Sequence, residues 1–334
     1  MPSRNSFGWA LVGPGNIARR FAGALRGIDG AHLAAVVGRD ADRAAAFAAQ
    51  WSDGAESGAS LAEALQRPDV QAVYVATPHP MHADAVRSAL EAGKPVLCEK
   101  PLTPSAATTR PLVRLSRERG VFLMEGVWTR FLPIFPQLRT WLDAGEIGAL
   151  RAMHSTFCID RPPVPGDRRH TAALGGGALL DIGIYNITVS RMVLPGVSIQ
   201  GFDVDATLGG ENVDVELRAT LDFGSCRSQF TCGFLRDAAN EFLIEGERGR
   251  IVLHGGFWEA TAAMLTRDGH APLTARAPLR VNGFEYEIEE AMRCIRAGLV
   301  ESPVLPHAES LAVVELMDAM RARVGVRYPF EVGA

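Results

Sequence analysis

The feature that most constrains the fold is Gly13-Pro14-Gly15-Asn16-Ile17-Ala18, a segment with the spacing G-x-G-x-x-A. It follows an apolar run at 9–12 that predicts a strand, and it begins a helical pattern that ends at Leu25. In this context the first glycine permits a tight turn, the second lets a pyrophosphate approach the backbone, and the alanine lets helix and strand pack closely. The segment therefore predicts a dinucleotide-binding unit. The residues expected at the phosphates are Gly13, Gly15, Asn16, Ile17 and Ala18.

Short apolar runs alternate with helical patterns through the first 125 residues. The expected strands after the first are 33–37, 73–75, 96–98 and 121–124, and the expected helices after the first are 40–50, 81–91 and 105–119. Strands separated by helices of this length form βαβ units and a parallel, doubly wound sheet. We therefore expect an α/β chain that begins with a Rossmann domain over residues 1–125.

The pattern changes after residue 125. The expected elements are helices at 134–144, 178–194, 285–297 and 307–323, and a strand near 150–157. Between 197 and 266, strand patterns alternate with turn signals such as Gly209-Gly210, Phe223-Gly224 and Gly246-Glu247, which predicts a large, mostly antiparallel, open sheet. Residues 126–334 should form a second α/β domain for substrate binding and oligomerisation, whose C-terminal helix could pack back on the first domain.

Charge and composition exclude several classes of protein. The net charge of −4 argues against a nucleic-acid partner. We find no apolar run near the roughly 18 residues that span a bilayer and no signal-peptide pattern after Met1, so we expect a cytoplasmic protein without a membrane partner. The five cysteines are odd in number and lack CxxC spacing, which indicates reduced thiols, and no metal-ligand spacing is present.

The end of the second predicted strand bears on the choice of dinucleotide. NAD-specific sites place an acidic residue there for the ribose hydroxyls, whereas an arginine accommodates a 2′-phosphate. Here Gly38 occupies the acidic position, Arg39 follows it, and Arg43 lies one helical turn further on. We expect Asp40 to cap the next helix. The pattern favours NADP, and NAD remains possible.

Lysine is rare in this chain, because only Lys94 and Lys100 occur among 34 basic residues. Arginine stays protonated in proteins, whereas lysine can shift a proton near a reacting group. Lys100 stands in Cys98-Glu99-Lys100-Pro101 after a predicted strand, and Thr77-Pro78-His79-Pro80-Met81-His82 follows the preceding strand. Loops at the carboxyl ends of parallel strands bind ligands in doubly wound folds, so we expect both segments to face the nicotinamide.

A third motif lies much further along the chain, at Gly175-Gly176-Gly177 and the helical pattern after it. Asp181 and Tyr185 are four residues apart there and should project from one helix face. With the Glu-Lys-Pro segment and the dinucleotide fingerprint, this motif resembles the Gfo/Idh/MocA oxidoreductase family over nearly the whole chain. Within the family, residues 124–131 and 298–304 and the tyrosine resemble the dihydrodiol dehydrogenase and NADP-dependent D-xylose dehydrogenase branch.

The resemblance implies an NADP-dependent oxidoreductase that transfers hydride between nicotinamide and a hydroxyl or carbonyl carbon of a sugar or cyclic diol. It also implies a pocket between the two domains, a cis peptide before Pro101, and a homodimer or homotetramer formed through the open sheet. Two alternatives remain open. One is an inositol or other polyol dehydrogenase that uses NAD, and the other is a regulatory protein that binds dinucleotide without turnover.

The mechanism expected from this resemblance uses Lys100, Tyr185 and Asp181. Tyr185 would act as general base on a substrate hydroxyl held between it and Lys100, and Asp181 would hold a second hydroxyl or orient the lysine. The other expected cofactor contacts are Arg39, Arg43, Thr77, His79, His82, Glu99, Lys100 and Arg130. The expected substrate pocket comprises His79, Trp128, Phe157, Asp181, Tyr185 and Trp258.

These residues also have structural alternatives. Asp181 could be a charge near a helix N-terminus, and Tyr185 a core residue with a satisfied hydroxyl. His82 could bond only the loop backbone, the aromatic residues could simply pack, and Arg130 could form a surface ion pair. The basic segment Arg168-Arg169-His170 could be a solvated loop or could cover the substrate.

Overall fold

The computed structural model describes residues 6–52, 54–58, 60–164 and 166–331. The chain divides into two compact units. One comprises Met1–Trp128 and Arg280–Val314, and the other comprises Thr129–Leu279 and Glu315–Ala334. In this division residues 280–314 belong with the first unit, whereas the sequence-based boundary is a single cut after residue 125.

The first unit is built on a six-stranded parallel sheet. Its strands are β1 (Phe7–Val12), β2 (Ala31–Val37), β3 (Glu56–Ser57), β4 (Ala72–Val75), β5 (Val96–Glu99) and β6 (Leu123–Gly126). Their order is β3-β2-β1-β4-β5-β6, and every pairing is parallel. The order reverses between β1 and β4, and this switch point is where doubly wound sheets bind ligands. The predicted doubly wound sheet is confirmed.

Helices connect these strands. They are α1 (Asn16–Leu25), α2 (Ala41–Trp51), α3 (Leu61–Gln66), α4 (His82–Glu91) and α5 (Ala106–Arg119). All residues of β1, β4, β5 and β6 are buried, as expected for strands covered by helices on both faces. Sequence analysis missed β3 and α3, because two and six residues are too short to show a clear periodicity.

The second unit contains an eight-stranded sheet. Its strands are β7 (Leu150–Cys158), β8 (Gly201–Leu208), β9 (Asp214–Asp222), β10 (Arg227–Gly233), β11 (Phe242–Gly246), β12 (Gly249–Leu253), β13 (Ala262–Arg267) and β14 (Leu273–Arg276). The order is β14-β13-β12-β11-β7-β10-β9-β8. Only the β7–β10 pair is parallel, so the prediction of a mostly antiparallel sheet is confirmed. Strand β14 lies beyond the predicted run.

The helices of the second unit include α6 (Ile134–Asp143) and α7 (Ile184–Val193). Residues 184–190 are all buried, and α7 packs on β7 and β10. The helix expected over 178–194 begins instead with a π-helical turn, Leu179–Gly183. Gly183 lies against β10, where an added Cβ would come 2.8 Å from Cys232 Sγ. Periodicity does not reveal such a turn, because the backbone widens without a change in the apolar pattern.

Two further helices follow the second sheet, α8 (Phe284–Arg296) and α9 (His307–Val324). Helix α8 belongs to the first unit, and just before it Asn282 O accepts from Arg20 Nη2 of α1 at 2.9 Å. Leu123 N donates to Val300 O at 3.0 Å, and His307 Nε2 lies 2.8 Å from Leu123 O. These bonds complete the edge of the parallel sheet at β6.

One segment of the described chain, Ala172–Val193, is long and apolar enough to cross a membrane. This corrects the expectation that no such run exists. In the fold 83% of its most apolar window is buried. Its apolar character is therefore used inside the second unit, against the sheet.

Candidate active site

The predicted phosphate turn has the geometry that a dinucleotide requires. Gly13 has φ +91°, and an added Cβ would lie 2.8 Å from Ala76 O. At Gly15 an added Cβ would meet only Gly13 O, at 3.9 Å, so the space beside this backbone is open. Helix α1 has no side-chain cap and no acidic residue in its first turn, which leaves its first N–H groups available for an anion. The turn fits a pyrophosphate.

The loop after β4 supplies a second point of fit. Thr77 Oγ1 is buried and has no hydrogen-bond partner among the described residues. Buried hydroxyls are normally satisfied, so this one is suited to a group that enters the site. It lies one residue beyond Ala76, whose carbonyl closes over Gly13, at the switch point of the sheet. The predicted cofactor role of Thr77 agrees with this position.

The residues at the end of β2 include arginines, and the position expected for an acidic residue is a glycine. A Cβ at Gly38 would lie 3.0 Å from Pro14 Cδ, so a larger residue there would crowd the phosphate turn. Asp40 caps α2, because its Oδ1 accepts from Arg43 N at 3.0 Å, as predicted. Arg39 and Arg43 are exposed beside this cap. No acidic side chain therefore occupies the position that would bind a ribose 2′-hydroxyl.

His82 links two loops at the switch point. Its Nε2 lies 2.8 Å from Thr77 O and its Nδ1 lies 3.0 Å from Pro101 O, so the ring holds the loops after β4 and β5 together. The ring is fully buried. This is the backbone-bonding role that sequence analysis kept as an alternative. His79 is buried beside it, with ring centroids 5.8 Å apart.

Lys100 follows β5 in a rigid setting. It is 8% exposed, and the peptide to Pro101 is cis. The preceding residue, Glu99, accepts from Tyr74 Oη at 2.5 Å, and Glu125 Oε1 accepts from Leu102 N at 2.9 Å. The turn that carries the lysine is thus bonded on both sides. Glu99, which the sequence predicts as a cofactor contact, thus also ties the start of this turn to β4 through Tyr74.

Burial and the charge of Glu99 shift the pKa values of two nearby side chains that the sequence motifs do not indicate. Burial and the charge of Glu99 raise the pKa of Tyr74 well above its usual value. Burial, and then Glu99, also raise the pKa of Glu287 well above its usual value, while Arg20 lowers it. Glu287 is fully buried on α8, and neither carboxyl oxygen has a hydrogen-bond partner among the described residues. The signal available in the sequence was a glutamate on the apolar face of this helix, between Phe284 and Ile288.

The predicted aromatic residues fall in different units. Trp128 packs in the first unit, 5.1 Å from the Phe284 ring and with the Arg20 guanidinium 4.4 Å from its centroid. In the second unit, the rings of Phe157 and Trp258 stack with centroids 3.4 Å apart. The Phe157 ring lies 5.8 Å from the ring of Tyr185. The structure therefore brings together three of the predicted pocket residues.

Asp181 and Tyr185 lie at the start of the buried segment that ends in α7. Asp181 is in the π-helical turn and is 7% exposed, and Tyr185 is 6% exposed. Single π-helical turns within helices are frequent at functional sites. Arg168 Nη2 donates to Asp181 Oδ1 at 2.8 Å.

The basic loop is therefore not wholly solvated. Arg168 reaches the carboxylate of Asp181, whereas Arg169 pairs with Asp167 at 2.7 Å. His170 Nε2 lies 3.0 Å from Arg161 O. Spacing alone could not select Arg168 from three adjacent basic residues. Arg130, the remaining predicted contact, is half-buried in the 3₁₀ turn Trp128–Phe131.

Other reactive groups are accounted for as follows. All five cysteines are free and buried. Within residues 6–52, 54–58, 60–164 and 166–331, no group of three or more His, Cys, Asp and Glu side chains is arranged to hold a metal ion.

Comparison with known proteins identifies the class. Residues 7–127 match the oxidoreductase family with an NAD-binding Rossmann fold, and residues 135–252 match the GFO/IDH/MocA C-terminal domain. The chain belongs to the GFO/IDH/MocA family. It is an oxidoreductase of the dehydrogenase type, with a Rossmann domain for a nicotinamide dinucleotide.

The similar proteins are more specific. Human trans-1,2-dihydrobenzene-1,2-diol dehydrogenase is 33% identical over 329 residues, which cover 96% of this chain and 98% of the relative. The Macaca fascicularis enzyme of the same name is 34% identical with the same coverage. The 3-ketoreductase KijD10 from Actinomadura kijaniata, solved with NADP and TDP-benzene, is 31% identical at a TM-score of 0.85, covering 95% of this chain and 97% of its own. The aldose–aldose oxidoreductase of Caulobacter crescentus, 22% identical at a TM-score of 0.86 with 95% and 97% coverage, shares the fold.

Proposed function

We propose that this protein is an NADP-dependent oxidoreductase that transfers hydride between nicotinamide and a hydroxyl or carbonyl carbon of a sugar or cyclic diol. The observation that carries the proposal is the buried Lys100, held in a doubly bonded turn in the unit that also contains the open phosphate turn at Gly15. The substrate class is supported by the names of the relatives, which include diol dehydrogenases and a 3-ketoreductase.

The chemistry is divided between two motifs. Lys100 lies in the first unit and Tyr185 in the second. The proposal that both act on one hydroxyl is supported by the family motifs in which the two residues occur. The nicotinamide, when bound, accepts or supplies the hydride. Tyr185 takes the hydroxyl proton during oxidation and returns it during reduction. A phenol ionises near pH 10 in water, so a tyrosine base needs a nearby cation, and Lys100 is the proposed one.

Asp181 and its ion-pair partner Arg168 are proposed to bind the substrate hydroxyls. Its carboxylate binds Arg168 at 2.8 Å, so the pair presents both acceptor and donor groups. A polyhydroxylated substrate needs both, because each of its hydroxyls donates and accepts. Phe157 and Trp258, stacked beside Tyr185, provide the apolar surface against which a sugar or cyclic diol ring packs.

The preference for NADP rests on the end of β2. An acidic side chain at position 38 would crowd Pro14, because a Cβ there would lie 3.0 Å from Pro14 Cδ, and Arg39 and Arg43 lie exposed at the same place. A 2′-phosphate would bind the planar guanidinium of Arg39 by two parallel hydrogen bonds. The residues proposed for the rest of the cofactor are Gly13, Gly15, Asn16, Ile17, Ala18, Thr77, His79, His82, Glu99, Lys100 and Arg130.

The open face of the second sheet is the proposed subunit interface of a homodimer or homotetramer. A groove there is lined by charged and polar side chains together with apolar ones, among them Asp203, Arg218, Glu241, Phe230 and Leu243. Strand β8 alternates between exposed and half-buried residues at its edge. We also propose a cytoplasmic location, which suits a dinucleotide-dependent enzyme with five reduced thiols.

A binding and turnover experiment tests the proposal. Fluorescence titration with NADPH and NADH measures the cofactor preference, and absorbance at the nicotinamide band then follows a panel of aldoses, cyclic diols and inositols. We expect turnover of an aldose or diol with NADP, and its loss in Tyr185→Phe. Turnover confined to inositols with NAD would select the polyol dehydrogenase alternative. Tight binding without turnover across the panel would select the regulatory alternative.

A further inference from the structure

Asp214, the first residue of β9, is a buried carboxyl outside the proposed chemistry. It is 1% exposed, and its Oδ2 accepts from Leu179 N at 2.6 Å. Its Oδ1 has no hydrogen-bond partner among the described residues. Burying a carboxyl with one unsatisfied oxygen costs free energy. The bond of its other oxygen to Leu179 N is therefore a candidate reason for an aspartate at this position.

That contact is made at the start of the segment that carries the proposed catalytic side chains. Leu179 begins the π-helical turn that contains Asp181, and Tyr185 follows in α7. The first N–H groups of a helix have no acceptor within the helix, and the residue before this turn, Ala178, supplies no side-chain cap. A carboxylate from a strand 35 residues away supplies the acceptor instead.

The glycine turn before this helix is held from two sides. Gly177 has φ +116°, and a Cβ there would collide with Asp214 Oδ1. On the other side Tyr328 Oη donates to Gly176 O at 2.5 Å, and the Arg321 guanidinium lies 4.6 Å from the centroid of the Tyr328 ring. The position of the helix start thus depends on Asp214, on Tyr328 after α9 and on Arg321 within α9, all in the second unit.

We propose that Asp214 is a positioning residue whose carboxylate holds the start of the Asp181–Tyr185 segment, and that protonation of this carboxylate loosens the hold and lowers activity. The activity part of this inference rests on the proposed function. An ionised carboxylate accepts a shorter and stronger hydrogen bond from N–H than a neutral one does. The bond to Leu179 N should therefore strengthen when the group loses its proton.

The surroundings place this ionisation near neutral pH. Burial raises the pKa of Asp214 to about 7, against the lowering effect of the backbone N–H groups of Leu179, Asp214 and Ala178 and of the Arg321 charge. The other titratable groups facing it are Tyr328 and the Cys232 thiol on β10, whose pKa values are raised by burial and then by the charge of Asp214. Asp318 and Glu331 pair with Arg321 and temper its charge.

Asp214→Asn is the direct test, because it keeps the shape and an acceptor oxygen but removes the ionisation. Asp222→Asn is the matched control, since Asp222 lies at the opposite end of β9 and accepts from Gly224 N at 2.8 Å. We would measure kcat and KM between about pH 5 and about pH 9, together with amide hydrogen exchange of peptides covering residues 177–190.

The expected result has three parts. Above pH 7, kcat of Asp214→Asn should be about tenfold lower than that of the unchanged protein, with KM for the dinucleotide unchanged. The rise in kcat near pH 7 that we expect for the unchanged protein should be reduced in the variant. Exchange at residues 178–183, corrected for intrinsic rates, should be faster in Asp214→Asn and unaltered in Asp222→Asn.

Two results would overturn the inference. One is an Asp214→Asn variant whose exchange and pH profile match those of the unchanged protein. The other needs no variant: in the unchanged protein, protection of residues 178–183 should fall as the pH decreases through 7, so constant protection contradicts the proposal. If no substrate is turned over, the exchange data alone decide the role of Asp214, and the failure belongs to the proposed function.

Discussion

Two helix starts in this molecule are completed in opposite ways. At the start of α1, no side chain caps the first N–H groups, and the space beside Gly15 is open. At the start of the segment that carries Asp181, the carboxylate of Asp214 already occupies the same kind of position, 2.6 Å from Leu179 N. The first helix start is left for an anionic ligand, whereas the second is closed by the protein and serves as a scaffold.

The two units contribute to the proposed reaction in different ways. The phosphate turn needs only local backbone freedom and a helix behind it. The Asp181–Tyr185 segment depends instead on distant partners, namely Arg168, Asp214 and Tyr328. Changes in the first unit should therefore act mainly on cofactor binding or on the chemical step, and changes around the second helix should act on the position of the catalytic groups.

The largest effect is expected from Lys100→Met. Loss of the ammonium should lower kcat by about 10³-fold, because proton transfer at the hydroxyl loses its cation, while the affinity for NADPH is largely kept. Stopped-flow kinetics and a fluorescence titration measure the two quantities. Lys94→Met is the control, since Lys94 Nζ only donates to Arg67 O and Val70 O, at 2.9 and 2.6 Å. Full turnover by Lys100→Met would remove the lysine from the mechanism.

Gly15→Asp tests the open helix start directly. An aspartate at this N-cap position should accept a hydrogen bond from the first turn of α1 and leave the unfolding free energy equal or about 1 kcal/mol higher. The same carboxylate should repel a pyrophosphate and weaken NADPH binding by about 100-fold. Chemical denaturation measures the unfolding free energy, and titration calorimetry measures NADPH binding. Gly15→Ala adds a Cβ without charge and should bind NADPH far more tightly than Gly15→Asp. Equal NADPH affinities of the two variants would contradict the idea that the start of α1 is open for an anion.

Arg39→Ala should alter cofactor choice without altering the chemistry. We expect KM for NADP to rise about tenfold, because a charge-assisted pair to the 2′-phosphate is lost, and KM for NAD to stay constant. Steady-state kinetics with both dinucleotides provide the test. Arg119→Ala, at an exposed arginine at the end of α5, is the control. Parallel changes for NADP and NAD would argue against a 2′-phosphate contact.

Arg168→Ala should affect the second helix start more modestly. Arg168 is 43% exposed as a side chain, so its ion pair with Asp181 is partly screened and adds little to global stability. We expect kcat/KM for substrate to fall about fivefold as Asp181 loses this ion pair, with NADPH affinity unchanged. Arg169→Ala, whose guanidinium pairs with Asp167, should leave kcat/KM unchanged. The same decrease in both variants would indicate a general loosening of the loop.

The smallest effect is expected from Glu287→Gln, and it concerns stability. The folded pKa of Glu287 is raised by burial and by Glu99, so the fold favours the protonated form. Its contribution to the unfolding free energy is fully present below the unfolded pKa and decreases as the pH rises toward the folded pKa. Glu287→Gln should remove that slope and be about 1 kcal/mol more stable than the unchanged protein at mildly alkaline pH.

Urea unfolding at several pH values measures this difference. Glu289→Gln is the control on the same helix, because Glu289 is 41% exposed as a side chain and pairs with Arg280. A pH dependence identical in both variants and in the unchanged protein would show that Glu287 does not titrate in this way.

Local chemistry made much of the molecule predictable. Gly13 needs a positive φ, strands β1 and β4 are short apolar runs, and Asp40 caps its helix by a bond to a residue three positions away. Each of these requirements involves neighbours in the chain. Sequence patterns did not predict β3, which is too short to show a period. They also did not predict the π-helical turn at Leu179–Gly183, which lies against β10 and depends on contacts beyond neighbouring residues.

The class of fold, the phosphate turn, the family and the rare lysine follow from the amino-acid sequence, because each depends on residue type at short spacing. The tertiary structure alone decided which of three adjacent basic residues pairs with Asp181, which carboxyl closes the helix start at Leu179, and that Glu287 is buried beside Glu99. These outcomes depend on contacts between residues far apart in the chain, and their free energies come from burial, which spacing does not record.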